Sequence, residues 1–285
     1  MTTTSPAGMP IKTATIMSVY GRDDPQATER ALQSVWQQRF SQAVENRIYL
    51  AIDGPIPQSL DETIQRWESR IHRICRLPHN VGLAAALNEL IKVLEDESLV
   101  FRMDADDWSY PDRYQKQINY LQSHPKVDIL GGDIVETIRN SETKRRVAFN
   151  GTPDNLEEEL CKRVPVAHPT VCFRRRVLQR VGGYPVNRGN EDIAMWFRCA
   201  REGFVFDNLH EPLLEFTINP DFWRRRGVGK ALLEFKCYAA GIWSLHGPTW
   251  RFIFPVLRLG LRLAPASLAK KAYGSAARAP KNSNA

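Results

Sequence analysis

Leu99-Val100-Phe101-Arg102-Met103-Asp104-Ala105-Asp106-Asp107 is the stretch from which the rest of the chain can be read. A mostly apolar run of strand length ends abruptly in three carboxylates within four residues. Runs of this kind read as parallel strands covered by helices on both faces. Ligands of open α/β sheets bind beyond the carboxyl ends of the strands, so these acids stand where chemistry is expected. Two carboxylates one residue apart can aim at a single point, and hard divalent cations take oxygen ligands. Mg2+ or Mn2+ held by such a pair would neutralise charge on a departing diphosphate. The same acids would equally serve to cap and solvate a loop ahead of a helix.

Working back from this stretch, β-rich runs at 13–19, 47–52 and 71–76 alternate with helical patterns at 25–38, 58–69 and 83–95. This βαβ series predicts an α/β fold with a Rossmann-like, mostly parallel central sheet and helices on both faces. The residues following the first two strands are Tyr20-Gly21-Arg22 and Asp53-Gly54-Pro55, so three strand ends converge on polar groups. Working forward, Ser109-Tyr110-Pro111-Asp112 predicts a helix with Ser109 as N-cap and Asp112 as its capping-box partner, running to about Ser123. Strands at 127–130, 134–139 and 146–149 and helices at 156–163, 175–181 and 191–202 make up a less regular second half. The character of the chain changes near 219–226.

The chain has 285 residues, 43% hydrophobic and 25% charged, which excludes disordered, collagen-like and disulfide-scaffold proteins. Its net charge of +7 is unevenly placed. From Arg224 onward twelve Lys or Arg face the single acid Glu234, whereas residues 1–223 carry a net −4. Five cysteines, an odd count with no CxxC pair, read as reduced thiols of a cytoplasmic protein. Residues 1–10 lack the charged start and apolar run of a secretory signal and read as a flexible tail. The best candidate for a membrane span, 252–264, is interrupted by Arg258 and Arg262.

Six pieces of the sequence, in order and at matching spacing, resemble the family 2 glycosyltransferases. They are Thr15-Ile16-Met17-Ser18-Val19-Tyr20, Ala31-Leu32-Gln33-Ser34-Val35-Trp36-Gln37-Gln38, Asp53-Gly54, the run from Asn80 to Asn88, Asp104-Ala105-Asp106-Asp107, and Glu191-Asp192-x-x-x-Trp196. The resemblance spans about residues 13 to 217. It implies the GT-A fold, with a nucleotide-sugar-binding half at 11–107 and an acceptor-binding half at 108–220, and inverting transfer from a nucleotide-sugar.

The resemblance also implies roles. Val19, Tyr20, Arg22, Asp53, Asn80, Gly82, Leu83, Asp104 and Ala105 would bind the donor, a UDP-sugar or similar. Tyr20 and Asp53 would lie against the base, with Asp53 accepting from a ring N–H, and Asp104 would contact the ribose or an ion-bound water. Asp106 would ligate Mg2+ or Mn2+, with His168 near the metal or the acceptor. Asp192 would take the proton of the acceptor hydroxyl, and Glu191 would orient it or bind the acceptor. Gly182-Gly183-Tyr184-Pro185 matches the family's turn before the acceptor loop, and Arg224-Arg225-Arg226 its basic segment over the diphosphate. Pro55-Ile56-Pro57 departs from the family pattern after Asp53-Gly54, so recognition of the base or ribose differs there.

Residues 221–285 form a basic amphipathic segment. Arg251, Arg258 and Arg262 share one face of a helical wheel, with Phe, Ile, Val and Leu around the remainder. The pattern fits a helix that starts near Pro255 and lies on an anionic membrane surface, with Lys270, Lys271 and Arg278 adding charge. Packing of those leucines on the catalytic body or in a dimer is the alternative. Together these features describe a cytoplasmic enzyme at the inner face of the cell membrane, adding a sugar to a glycan or lipid-linked acceptor in polysaccharide assembly. A sugar-1-phosphate nucleotidyltransferase would need a Gly-rich, basic loop after the first strand, where Tyr20-Gly21-Arg22-Asp23-Asp24 stands instead. A nucleic-acid-binding role for the tail is opposed by the acidic body and the absence of an aromatic-basic RNA motif.

Overall fold

Strand β1 (Ile11–Tyr20) pairs in parallel with β2 (Val44–Asp53) along its whole length, so that Tyr20 and Asp53 end the two strands side by side. β3 (Arg73–Arg76) adds to β2 and β4 (Leu99–Arg102) to the free edge of β1, both parallel. The structure is a computed structural model that describes residues 10–138, 144–186, 189–218 and 227–263. The expectations placed on residues 1–9, on the boundary at 219–226 with Arg224-Arg225-Arg226, and on Lys270, Lys271 and Arg278 lie outside the described residues.

Because the chain runs β1, β2, β3 in one direction and then places β4 on the other side of β1, the strand order reverses between β1 and β4. A crevice opens at such a reversal. Helix α1 (Pro25–Trp36) begins where the Asp24 carboxylate accepts from the N–H groups of Gln26 and Ala27 at 3.0 and 2.9 Å. Its Leu32 and Val35 pack with Met17 and Val19 of β1, together with Ile64 of α2 (Gln58–Trp67). On the opposite face Ala14 and Ile16 meet Leu87 and Leu90 of α3 (Leu83–Lys92). Both faces of β1 are thus covered, which accounts for its near-continuous apolar sequence.

The remaining elements are β5 (Trp108–Ser109), α4 (Arg113–Ser123), β6 (Ile129–Ile138), β7 (Lys144–Val147), α5 (Leu156–Lys162), β8 (Cys172–Arg174), α6 (Arg175–Val181), α7 (Glu191–Arg201), β9 (Phe206–Ile218), α8 (Val228–His246) and α9 (Ile253–Leu263). They extend the same sheet in the order β3-β2-β1-β4-β8-β6-β9-β5, with β7 on β6. β8 runs antiparallel to both β4 and β6, making the sheet mixed in its second half.

Three expectations are corrected. Ser109 does not cap α4: it lies in β5, and the helix begins four residues later. Gln38, at the end of α1, supplies the missing acceptor, taking the Tyr114 N–H at 3.0 Å while its amide donates to the Ser109 hydroxyl at 3.2 Å. The strands expected at 127–130 and 134–139 are one strand, β6, because Gly131-Gly132-Asp133 forms a register shift against β9 and not a turn. A side chain at Gly132 would meet Leu213 at 2.4 Å. In the C-terminal segment Pro255 sits in the first turn of α9, where its absent N–H has no helical partner to lose, but Arg258 and Arg262 turn toward α8 instead of outward.

Candidate active site

The ends of β1 and β2 and the loop before α3 are locked together. Asp53, 3% exposed, accepts the N–H of Val81 at 2.7 Å on one carboxylate oxygen and that of Gly82 at 2.9 Å on the other. Asn80 returns its amide to the Asp53 carbonyl at 3.2 Å. Gly54, at φ 85°, passes so close that a Cβ would stand 2.5 Å from the Asn80 nitrogen. Gly82 has open space around it, and its requirement is φ 91°. Asp53 therefore builds the loop before α3. A carboxylate offers about four lone-pair sites, so two remain for a ligand N–H. Tyr20 is half-buried beside this loop, its N–H held by Asp23 at 2.9 Å, while Arg22 and Asn80 are exposed.

At the end of β4, both oxygens of Asp104 accept from the two terminal nitrogens of Arg102, whose side chain is 2% exposed. The main chain of Arg102 is equally fixed, donating to the Val171 carbonyl at 2.9 Å and accepting from Arg113 at 3.0 Å. Ala105 is buried and Asp106 half-buried. Asp107 is 1% exposed; one of its oxygens takes the Thr217 N–H at 3.0 Å, and the other is buried without a hydrogen-bond partner. Burial and then the neighbouring charges of Asp104 and Asp106 push its carboxyl well above the usual range.

Glu191 and Asp192 open α7, entered through Asn190 in the left-handed conformation at φ 60°. The opposite face of the helix buries Ile193, Trp196 and Phe197, which fixes the direction in which its acidic start points. Burial raises the Asp192 carboxyl to about 6, the like charge of Glu191 adds to this, and the positive charge of Arg102 opposes it. Arg102 is also raised by the charges of Asp104 and Asp107. One buried guanidinium is thus felt by acids from β4 and from α7, segments nearly ninety residues apart in sequence.

His168 lies in the buried region under these strand ends. Its Nε2 is 2.9 Å from the Tyr184 hydroxyl, it stands edge-on to Trp196, and burial, with the charge of Arg102, holds it neutral by lowering its pKa well below the ordinary value. Among the described residues no three His, Cys, Asp or Glu side chains gather into a metal cluster. The turn Gly182-Gly183-Tyr184-Pro185 is held by Asn88 of α3, which accepts the Tyr184 N–H at 2.7 Å and donates to its carbonyl at 2.9 Å.

Arg102 and Asn88 carry much of this arrangement without having been singled out in the sequence. For Arg102 a signal exists: a full charge inside a strand otherwise made of Leu, Val, Phe and Met. Asn88 has none beyond its place in a helix.

The family model described as glycosyl transferase family 2 matches residues 15–182, which include every strand end just described except the start of α7. The chain belongs to glycosyl transferase family 2. A second model, glycosyl transferase family group 2, matches residues 99–268 and so reaches α9. An uncharacterized glycosyltransferase of Haemophilus influenzae is 34% identical over 92% of this chain and 98% of its own length. The UDP-Gal:alpha-D-GlcNAc-diphosphoundecaprenol beta-1,3-galactosyltransferase of Escherichia coli is 27% identical over 90% of this chain and 93% of its own. Among solved structures, the mannosyltransferase PcManGT of Pyrobaculum calidifontis, in complex with GDP-Man and Mn2+, superposes with TM-score 0.61 at 15% identity, covering 95% of this chain and 81% of that one. The mixed α/β sheet of this family 2 glycosyltransferase is accordingly of the GT-A type. Family membership also sets aside the nucleotidyltransferase and nucleic-acid-binding readings.

Proposed function

We propose that this family 2 glycosyltransferase transfers a sugar from a UDP-sugar, with inversion, to a hydroxyl of a lipid-linked glycan at the inner face of a cell membrane. The observation that carries this reading is the buried guanidinium of Arg102, which pairs with Asp104 and whose charge acts on both Asp107 and Asp192. It supports one pocket in which strand-end acids serve the donor and the acid of α7 serves the acceptor. The UDP donor and the lipid-linked acceptor are drawn from the name of the Escherichia coli relative.

Asp192, with a pKa of about 6, is ionised at neutral pH and basic enough to accept the acceptor's proton as its oxygen attacks the anomeric carbon. Single displacement inverts the anomeric configuration. Glycoside hydrolases need a second carboxylic acid for the leaving oxygen, whereas a diphosphate leaves without protonation, so one base suffices. Tyr20 and the remaining lone pairs of Asp53 receive the base, and the loop Asn80 to Leu83 receives the ribose and diphosphate. Asp106, half-buried at the strand end, suits a hard cation that draws the rest of its oxygen shell from diphosphate and water. When bound, Mg2+ or Mn2+ supplies Lewis-acid neutralisation of the leaving diphosphate.

Calorimetry with a panel of nucleotide-sugars, with and without chelator, tests the donor half. UDP-sugar binding that weakens on chelation and in Asp106→Asn is expected. Equal binding under all three conditions would remove the cation from the account.

A further inference from the structure

Helix α9 presents its faces in the reverse of the sense that its charge pattern suggests. Arg258 and Arg262, one turn apart, both reach Glu234 of α8, Arg258 at 3.2 Å, and Glu234 is only 5% exposed. Arg258 also donates to the Lys162 carbonyl and lies 4.6 Å over the Tyr238 ring. The arginines therefore clamp α9 to α8 and α5, and the apolar face of the helix looks outward. Ile253, Val256, Leu257 and Leu261 are 45 to 57% exposed, and Trp243 and Trp250 are 60% and 70% exposed. Both tryptophans are tied to the start of α9, Trp243 through Phe252 at 6.5 Å and Trp250 through Phe254 at 5.5 Å between ring centroids.

Ten of the thirteen exposed large hydrophobics among the described residues fall between 228 and 263, so the exposure belongs to this segment and not to the surface at large. Soluble monomers rarely leave such a continuous apolar face uncovered. Within residues 224–285 the exposed charge has one sign, and the acids nearest it are Glu157 and Glu158 of α5, Glu157 standing 3.7 Å from His246 at the end of α8. Glu234 is the only acid from Arg224 to the end of the sequence and it is buried, whereas Lys230 and Lys236 are exposed and the sequence beyond α9 adds Lys270, Lys271 and Arg278.

We propose that the outward face of α9, with Trp243 and Trp250, inserts into the headgroup layer of an anionic bilayer, and that Arg258 and Arg262 brace the helix from behind and do not bind lipid. A second copy of the chain would set like cations against one another across a two-fold interface. Residues 264–285 hold only Leu268 and Tyr273 as large apolar residues, too few to cover the face. An anionic bilayer accepts the apolar side chains, the interfacial tryptophans and the flanking cations together. The proposal takes its purpose, though not its evidence, from the lipid-linked acceptor of the preceding reading.

Flotation of the full chain with vesicles of phosphatidylethanolamine and phosphatidylglycerol, and with phosphatidylcholine alone, tests it. The wild-type chain is expected to float with the anionic vesicles. V256Q/L257Q/L261Q, at positions already half-exposed and with folding checked by circular dichroism, should lose about tenfold or more of that partition. R262Q should float within about twofold of wild type while melting at a lower temperature. The proposal is overturned if the wild type stays at the bottom, if the triple variant floats equally well, or if R262Q remains folded yet fails to float. A wild-type dimer that the triple variant dissociates, without flotation, would assign the face to a second copy. Flotation only after removal of 264–285 would assign it to the tail. Donor binding is measured in parallel: failure to float with donor binding intact defeats only the membrane surface, and flotation without donor binding defeats only the transfer reading.

Discussion

Arg102 and Asp104 project from the end of one strand and form a two-pronged ion pair in which the arginine side chain is 2% exposed and the carboxylate 28%. A buried charge of this kind is tolerated because it is paired, and removing one partner leaves the other uncompensated. The charge of Arg102 also opposes the upward shifts of Asp107 and Asp192. Arg102→Met should therefore cost about 3–5 kcal/mol of stability by denaturant titration. In the folded fraction, the acidic limb of the pH-rate profile should move upward, because Asp192 loses the charge that holds its pKa down. A stability loss with an unmoved limb would make Arg102 a purely structural residue.

The Asp192 carboxyl itself sets that limb. With its pKa raised to about 6, kcat/KM should fall below pH 6 as the base is protonated. The same shift has a stability consequence of definite sign. The folded state disfavours the ionised form, so the penalty is absent below the unfolded value near 4 and complete above about 6. Asp192→Asn removes that penalty, and should stabilise the fold by about 1–3 kcal/mol at pH 7.5. The gain in melting temperature should shrink as the pH is lowered toward 4. A gap that is constant with pH would mean that Asp192 is not strained by burial.

Gly54 and Gly82 both hold positive φ, yet substitution at the two should differ. At Gly82 a Cβ meets nothing within 4 Å, so Gly82→Ala should cost only backbone strain, about 1–2 kcal/mol. At Gly54 a Cβ would stand 2.5 Å from the Asn80 nitrogen, forcing apart the loop that Asp53 holds. Gly54→Ala should weaken donor binding by about tenfold or more in addition to the strain, measured by calorimetry with UDP.

Asn88 makes both of its hydrogen bonds to the main chain of Tyr184, whose hydroxyl meets His168. Asn88→Ala should cost about 1–3 kcal/mol for the unsatisfied backbone groups and raise the KM for acceptor more than that for donor. Equal changes in the two KM values would place the turn outside acceptor binding.

Much of the fold is written in the sequence where the physics is local. The apolar runs ending at Tyr20, Asp53 and Met103 mark β1, β2 and β4 because strands buried on both faces need apolar residues at nearly every position. Helix α6 is found at its stated limits, 175–181, because Gly182 ends it in the left-handed conformation. What failed depends on partners distant in sequence. Ser109 looks like a helix cap until Gln38, seventy-one residues away, takes over the capping. Gly131-Gly132 looks like a turn until β9 pairs across it. Within the site, Asp104 and Asp106 stand out in the sequence as acids after an apolar run, and Asp192 by the resemblance. The part played by Arg102 depends on which acids the fold brings to it. The contact of His168 with the Tyr184 hydroxyl has no signal in the sequence, because it depends on how the fold brings the two side chains together. The direction of α9 was equally hidden, because a helical wheel shows which residues share a face and not that a buried Glu234 waits opposite the arginines.

Single-turnover transfer from a UDP-sugar to a lipid-linked acceptor by Asp192→Asn, with donor binding measured on the same preparation, tests the shared pocket most directly. Transfer should fall by about a thousandfold or more, while cation-dependent donor binding stays within about threefold of wild type. Transfer near the wild-type rate, or a loss of donor binding as large as the loss of transfer, would contradict the division of labour between the strand-end acids and the acid of α7.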